Sequence, residues 1–320
     1  MHPSRCFFAA LSLSLVVVSV AACNDDPVSS GGSGTERITT YGEDYIEDRI
    51  PADPAGLSGL LNGWSVKYNK FLVSFHEVTI KDDQGNVGFE LEKPIFFDNT
   101  KKGAAGDKLL AAAFPLEAKA WTDFSYQIKP AVADETLGEG ADPADLAMMV
   151  QNGWSIYVDA VATQTAADGT VKTKTFKWGF KSATQYTSCQ VAEGGQSRLG
   201  IVVTNGAADT TQLTTHGDHF YYDRLQSSPD PAVQTLLRFD EKAQADDAPN
   251  GNADGDITLQ ELCTLQFDPT TYNPSGFNVA TVGDFVISLS RTVGHFRGEG
   301  ECEVSALEPT RPKLPCDDYR

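Results

Sequence analysis

Positive charge is scarce in this sequence. Its 320 residues carry 25 Lys and Arg against 44 Asp and Glu, a formal net charge of −19. A surface that acidic argues against nucleic acid, or an anionic membrane, as a partner held by charge, and it suits a chain that meets divalent cations. The motifs of common catalysis are also missing. There is no G-x-S-x-G, no H-E-x-x-H and no phosphate-binding glycine loop, so no nucleophile, metalloprotease centre or nucleotide site is nominated. Glu299-Gly300-Glu301 pairs two acids, but acids on a glycine-rich stretch read as solvated, and the expectation is a protein that is not an enzyme. No C-x-x-C spacing supports a zinc site. No apolar run reaches the roughly 20 residues that cross a bilayer.

The apolar run that does exist lies at the start. Arg5 supplies a positive region, Phe7 to Val20 an apolar one, and Val20-Ala21-Ala22 are small residues before Cys23. This resembles a bacterial lipoprotein signal with a V-A-A-C lipobox. The resemblance implies loss of residues 1–22 and lipid on Cys23, which would fix the protein to the cell envelope, at the outer membrane, the periplasmic face or the cell surface. The polar, glycine- and serine-rich stretch that follows reads as a flexible tether, with 23–40 as the lipidated linker.

Setting aside Cys6 and Cys23, four cysteines remain: Cys189, Cys263, Cys302 and Cys316. In an oxidising compartment they suggest two disulfides in one of three pairings. Cys189 with Cys302 and Cys263 with Cys316 is preferred, because the second bridge would tie a late segment to the tail.

Texture from Tyr41 onward is mostly β. Trp64–Tyr68 alternates, Phe71–Ile80 is rich in β-branched and aromatic residues, and D-D-Q-G-N at 82–86 is a turn into Val87–Leu91. Further strands are expected at Phe124–Ile128, Trp154–Thr163, Val171–Phe180, Gly200–Asn205, Thr210–Thr215 and Gly283–Ser290. Asn62-Gly63-Trp64-Ser65 recurs as Asn152-Gly153-Trp154-Ser155, which reads as two turns into strands whose tryptophans plug the core. Helices are expected at Ala144–Gln151, capped by Asp142 and stopped by Gly153, at Ala232–Ala245, and at Thr258–Leu265. The fold class expected is mainly β: an antiparallel β-sandwich over 41–230, a helical insertion over 231–266, and returning strands with a disulfide-tied tail over 267–320.

Two stretches carry metal chemistry. Asn250 to Glu261 reads N-G-N-A-D-G-D-I-T-L-Q-E. On a twelve-residue calcium loop, Asn250, Asn252 and Asp254 take positions 1, 3 and 5. Gly255 turns the chain at 6, Asp256 offers its carbonyl at 7, Thr258 sits at 9 and Glu261 closes the shell at 12. These twelve residues resemble the EF-hand family, and calcium is the ion that resemblance implies. Asn250 in place of an acid, and Pro249 before it, are departures, with Asp247 available to restore the charge. Such a lone loop would act as a structural clamp. The second stretch is Thr215-His216-Gly217-Asp218-His219. Two imidazoles three residues apart, with Asp218 and Asp223 near, form part of a transition-metal site if Gly217 bends the chain and His76 or His295 adds a third ligand.

The strand F-L-V-S-F-H-E-V-T-I-K-D at 71–82 and F-K-W-G-F at 176–180 resemble strand patterns of the methanobactin-associated periplasmic partner family, a β-rich exported group linked to copper. That resemblance implies no particular ligand here and makes copper the metal for the histidine pair. Two functions are therefore expected: a lipid-anchored envelope protein clamped by calcium and acting as a binding or structural module, or an envelope protein handling a copper-type metal on His216 and His219.

Overall fold

The computed structural model describes residues 31–319 apart from 104–107, 167, 194–195, 229, 231 and 308–313. The leader, Cys23 and the first part of the expected tether lie outside the described residues. The remainder of that tether does not stay loose: Ser33–Gly42 is a strand, with alternate residues buried through its first half.

The chain is mainly β, but it is not clearly a sandwich. An 11-stranded mixed sheet curls strongly on itself, with a 4-stranded sheet and a 2-stranded one beside it. The large sheet is built on one strand of 18 residues, Trp64–Lys81, which joins two stretches that read separately in the sequence. Its first half pairs antiparallel with Ile156–Thr165, and its second half with Ile95–Asp98, Asp123–Ile128 and Val87–Glu90. The alternation seen in Trp64–Tyr68 places Trp64, Val66 and Tyr68 in the core. From Phe71 to Phe75 both faces are buried, which is why that run is apolar at every position but Ser74. Expected strands at 171–180 and 210–215 are present as Val171–Phe180 and Ala208–Thr215. The helix Pro143–Asn152 is capped by the Asp142 side chain and ended by Gly153 in the left-handed conformation.

Three expectations are corrected. Gly283–Ser290 is not a strand but part of the helix Val282–Leu289. Thr281 and Asp284 form a capping box at its start, and its buried residues lie on all sides, so the apolar run carried no helical stripe to read. The helix expected at 232–245 shrinks to Asp240–Asp247. Leu237, inside the expected range, instead bridges Leu60 and Tyr222 as extended backbone. Only one of the repeated tryptophans plugs the main core: Trp64 is buried against Phe239, whereas Trp154 is partly exposed and stacks on Tyr157.

Disulfides join Cys189 to Cys302 and Cys263 to Cys316, the preferred pairing. Two bridges mark an extracytoplasmic, oxidising compartment.

Candidate metal centre

The smaller sheet runs Gly294–Phe296, Ala208–Thr215, Ser33–Gly42, Leu109–Glu117 in spatial order. Its two central strands are parallel and end level, with Gly42 opposite Thr215. The residues that leave the sheet there, Glu43 and His216, are therefore neighbours, and Glu43 N donates to Thr215 O at 3.1 Å. On the other side Thr214 pairs with His295. A short 3-10 turn, Asp218–Tyr221, then folds His219 back over the sheet edge, anchored by fully buried Phe220 and Tyr221.

The three imidazoles of His216, His219 and His295 thus converge. Ring centroids are 4.1 Å apart for His216 and His295, 4.9 Å for His219 and His295, and 5.4 Å for His216 and His219. All three side chains are buried, and each offers a ring nitrogen within 4.8 Å of the others. Gly217 lies at the expected bend just past the strand, in an ordinary right-handed conformation. It is required for close approach: a Cβ there would lie 2.7 Å from Tyr68 and from Ile46.

Hydrogen bonding prepares these rings as ligands. Thr292 Oγ1 donates to Leu289 O, so it accepts from His219 Nδ1 at 2.8 Å, which assigns the proton to Nδ1 and leaves the lone pair on Nε2. His295 Nδ1 is buried with no hydrogen-bond partner, a state that needs a reason, and a metal ion supplies one. His216 is loosely held, with Nδ1 3.5 Å from Glu43 Oε2 and Nε2 3.3 Å from Gly298 O. Burial, and then the neighbouring imidazoles, hold His219 well below the usual histidine value; burial and His216 push His295 down to about 3. Both are therefore neutral at pH 7, as ligation demands. Burial, and then the charge of Asp218, push Glu43 up to about 10, and burial likewise raises Asp218.

A cavity of about 800 Å³ is lined by His219, Tyr222, Thr292 and His295 among others. It gives a small ion or ligand a route to two of the three imidazoles, and its size is that of a small-molecule site.

Other candidates fall away. His76 lies on the Trp64–Lys81 strand, 2.7 Å from Ser74 Oγ and 3.4 Å from Glu135 Oε1, in a separate buried polar cluster. Asp223 pairs with Arg224 and accepts from Leu236 N. Glu43 was not foreseen, because nothing local in the sequence marks it.

The calcium loop does not assemble as expected. The Glu261 carboxylate is engaged within the loop: Oε2 accepts from Thr258 N at 2.8 Å and Thr258 Oγ1 at 3.0 Å, and Oε1 from Asn252 N at 3.2 Å. It is the N3 member of a capping box on the helix Leu259–Leu262. Asn252 bonds Asp254, both exposed, and Asn250 and Asp256 are exposed too. Asp246, not Asp247, folds in, accepting from Asp254 N and Gly255 N at 3.0 Å each and pairing with Lys174. Among the described residues, the groups of three or more His, Cys, Asp or Glu side chains that converge within metal-ligand reach include none from this loop.

No protein-family model matches this sequence, and no curated protein matches it. Among solved structures the chain is similar to MbnP from Methylosinus trichosporium, at 15% identity and a TM-score of 0.28, over 86% of this chain and 99% of that one.

Proposed function

We propose that this protein binds a transition metal, of copper type, through His216, His219 and His295 in an extracytoplasmic compartment. The convergence of three buried imidazoles carries this reading, supported by the fixed tautomer of His219 and the unpartnered Nδ1 of His295. Three neutral nitrogen donors suit copper or zinc, and among divalent first-row ions copper binds such donors most tightly. The cavity beside His219 and His295 lets the ion exchange, which fits a carrier or store. The lipobox would hold this domain at a membrane, and Cys23→Ser should then release it into the soluble fraction.

Competition titrations with copper(I) and copper(II) test the centre. His219→Ala and His295→Ala should each lower copper affinity more than about 100-fold. If either variant binds copper as the wild type does, the reading is wrong.

A further inference from the structure

We propose that Glu43, His216 and Asp218 form a second cation seat, sharing His216 with the imidazole cluster but using two carboxylates, and that it takes a borderline divalent ion such as zinc. One carboxylate oxygen each from Glu43 and Asp218 and one ring nitrogen of His216 lie within 4.8 Å of one another. Parallel pairing of Gly42 with Thr215 holds Glu43 beside His216, and Gly217 N, donating to Glu43 Oε1 at 2.9 Å, fixes the Glu43 carboxylate in place. The Asp218 side chain is only 8% exposed and its Oδ1 is buried with no hydrogen-bond partner. Among the described residues, no lysine or arginine pairs with either acid.

Two adjacent carboxyl groups taken out of water are costly to ionise without a cation, and an unpaired buried oxygen adds to that cost. A divalent ion at this point offsets both. Two oxygens and one nitrogen are a harder donor set than three imidazoles, so the two seats discriminate: carboxylates and an imidazole accept zinc readily, whereas the nitrogen-only cluster favours copper. Neither Glu43 nor Asp218 lines the 800 Å³ cavity, while His219 and His295 do. The second seat thus lies away from the open side of the centre, and His216 links the two.

The seat needs neither His219 nor His295, so it can be tested whether or not copper binds. The full-length protein carrying His219→Ala and His295→Ala should still take one equivalent of zinc, seen by native mass spectrometry and by a zinc-edge absorption spectrum with an oxygen-rich shell. Adding Glu43→Gln or Asp218→Asn, each nearly isosteric and confirmed folded by circular dichroism, should weaken zinc about tenfold or more. In the His219 and His295 background those acid variants bear on zinc alone. Failure of the double histidine variant to bind zinc, or zinc binding that ignores both acid substitutions, overturns the proposal.

Discussion

The Asn250–Glu261 loop and the His216–His219–His295 cluster are opposites. The loop has the residues of a metal site in the right order, yet its Asp254 and Glu261 already accept hydrogens from the protein itself. The cluster draws ligands 79 residues apart in the chain, and leaves one of them, His295 Nδ1, buried with no partner. On the proposed reading, what separates a metal centre from an ordered turn is not the inventory of donors but whether their lone pairs are already used. In the loop, Glu261 and Asp246 take up five hydrogens of Asn252, Asp254, Gly255 and Thr258. In the cluster, hydrogen bonding orients His219 and leaves its Nε2 open.

If the loop is a self-contained clasp, its keystone is Asp246. The side chain is fully buried, bonded to Lys174 and to two loop amides. Burial works against its charge, but the Lys174 ammonium and those amides hold its carboxyl below the usual range. Asp246→Ala should cost about 2–3 kcal/mol, because it leaves two loop amides without their acceptor and Lys174 paired with Asp247 alone. Urea unfolding measures this, and a loss below about 1 kcal/mol would show that the loop is held by something else.

A second contrast is in pH response. His219 and His295 have lowered values, so protons bind the unfolded chain preferentially below its histidine value of about 6.5 and stability falls as pH falls. Glu43 and Asp218 have raised values, so the folded state holds their protons and stability falls as pH rises. Between about pH 5 and 6.5 the two pairs oppose each other, and the metal-free wild type should respond weakly there through this cluster. In a Glu43→Gln, Asp218→Asn variant only the histidine contribution survives. Its stability should drop with acidification by up to about 1.4 kcal/mol per histidine per pH unit. Denaturation at pH 6.5 and 5.5 compares the two, and equal slopes would mean that the acids and imidazoles do not share one buried site.

Much of the β texture was legible, because alternation in Trp64–Tyr68 and turn chemistry at 82–86 are local signals. The curled sheet was not, since it depends on which strands pair with each half of Trp64–Lys81. For the site, His216 and His219 could be read from spacing alone. His295 could only be offered beside His76, because its place follows from the pairing of Thr214 with His295, and Glu43 depends on a parallel pairing across 173 residues. One missed signal was local: Thr281-x-x-Asp284 marks a helix start that would have stopped 283–290 being read as a strand. The same logic explains the loop. Thr258-x-x-Glu261 is both the end of a calcium loop and a capping box, and sequence does not separate them.

That ambiguity yields the smallest effect and the sharpest discriminator. Glu261→Ala removes the acceptor of Thr258 N, Thr258 Oγ1 and Asn252 N. As the loss of a cap and one loop clasp, it should cost about 1–2 kcal/mol, a few degrees in Tm for a domain of this size. The difference between wild type and variant should be the same with a calcium chelator as with millimolar calcium, because in the clasp Glu261 works on protein hydrogens alone. Were Glu261 a closing ligand instead, calcium would raise the wild-type Tm and the gain would vanish in Glu261→Ala. The difference would then widen with calcium, and the contrast between a finished turn and an open metal centre would collapse into two metal sites.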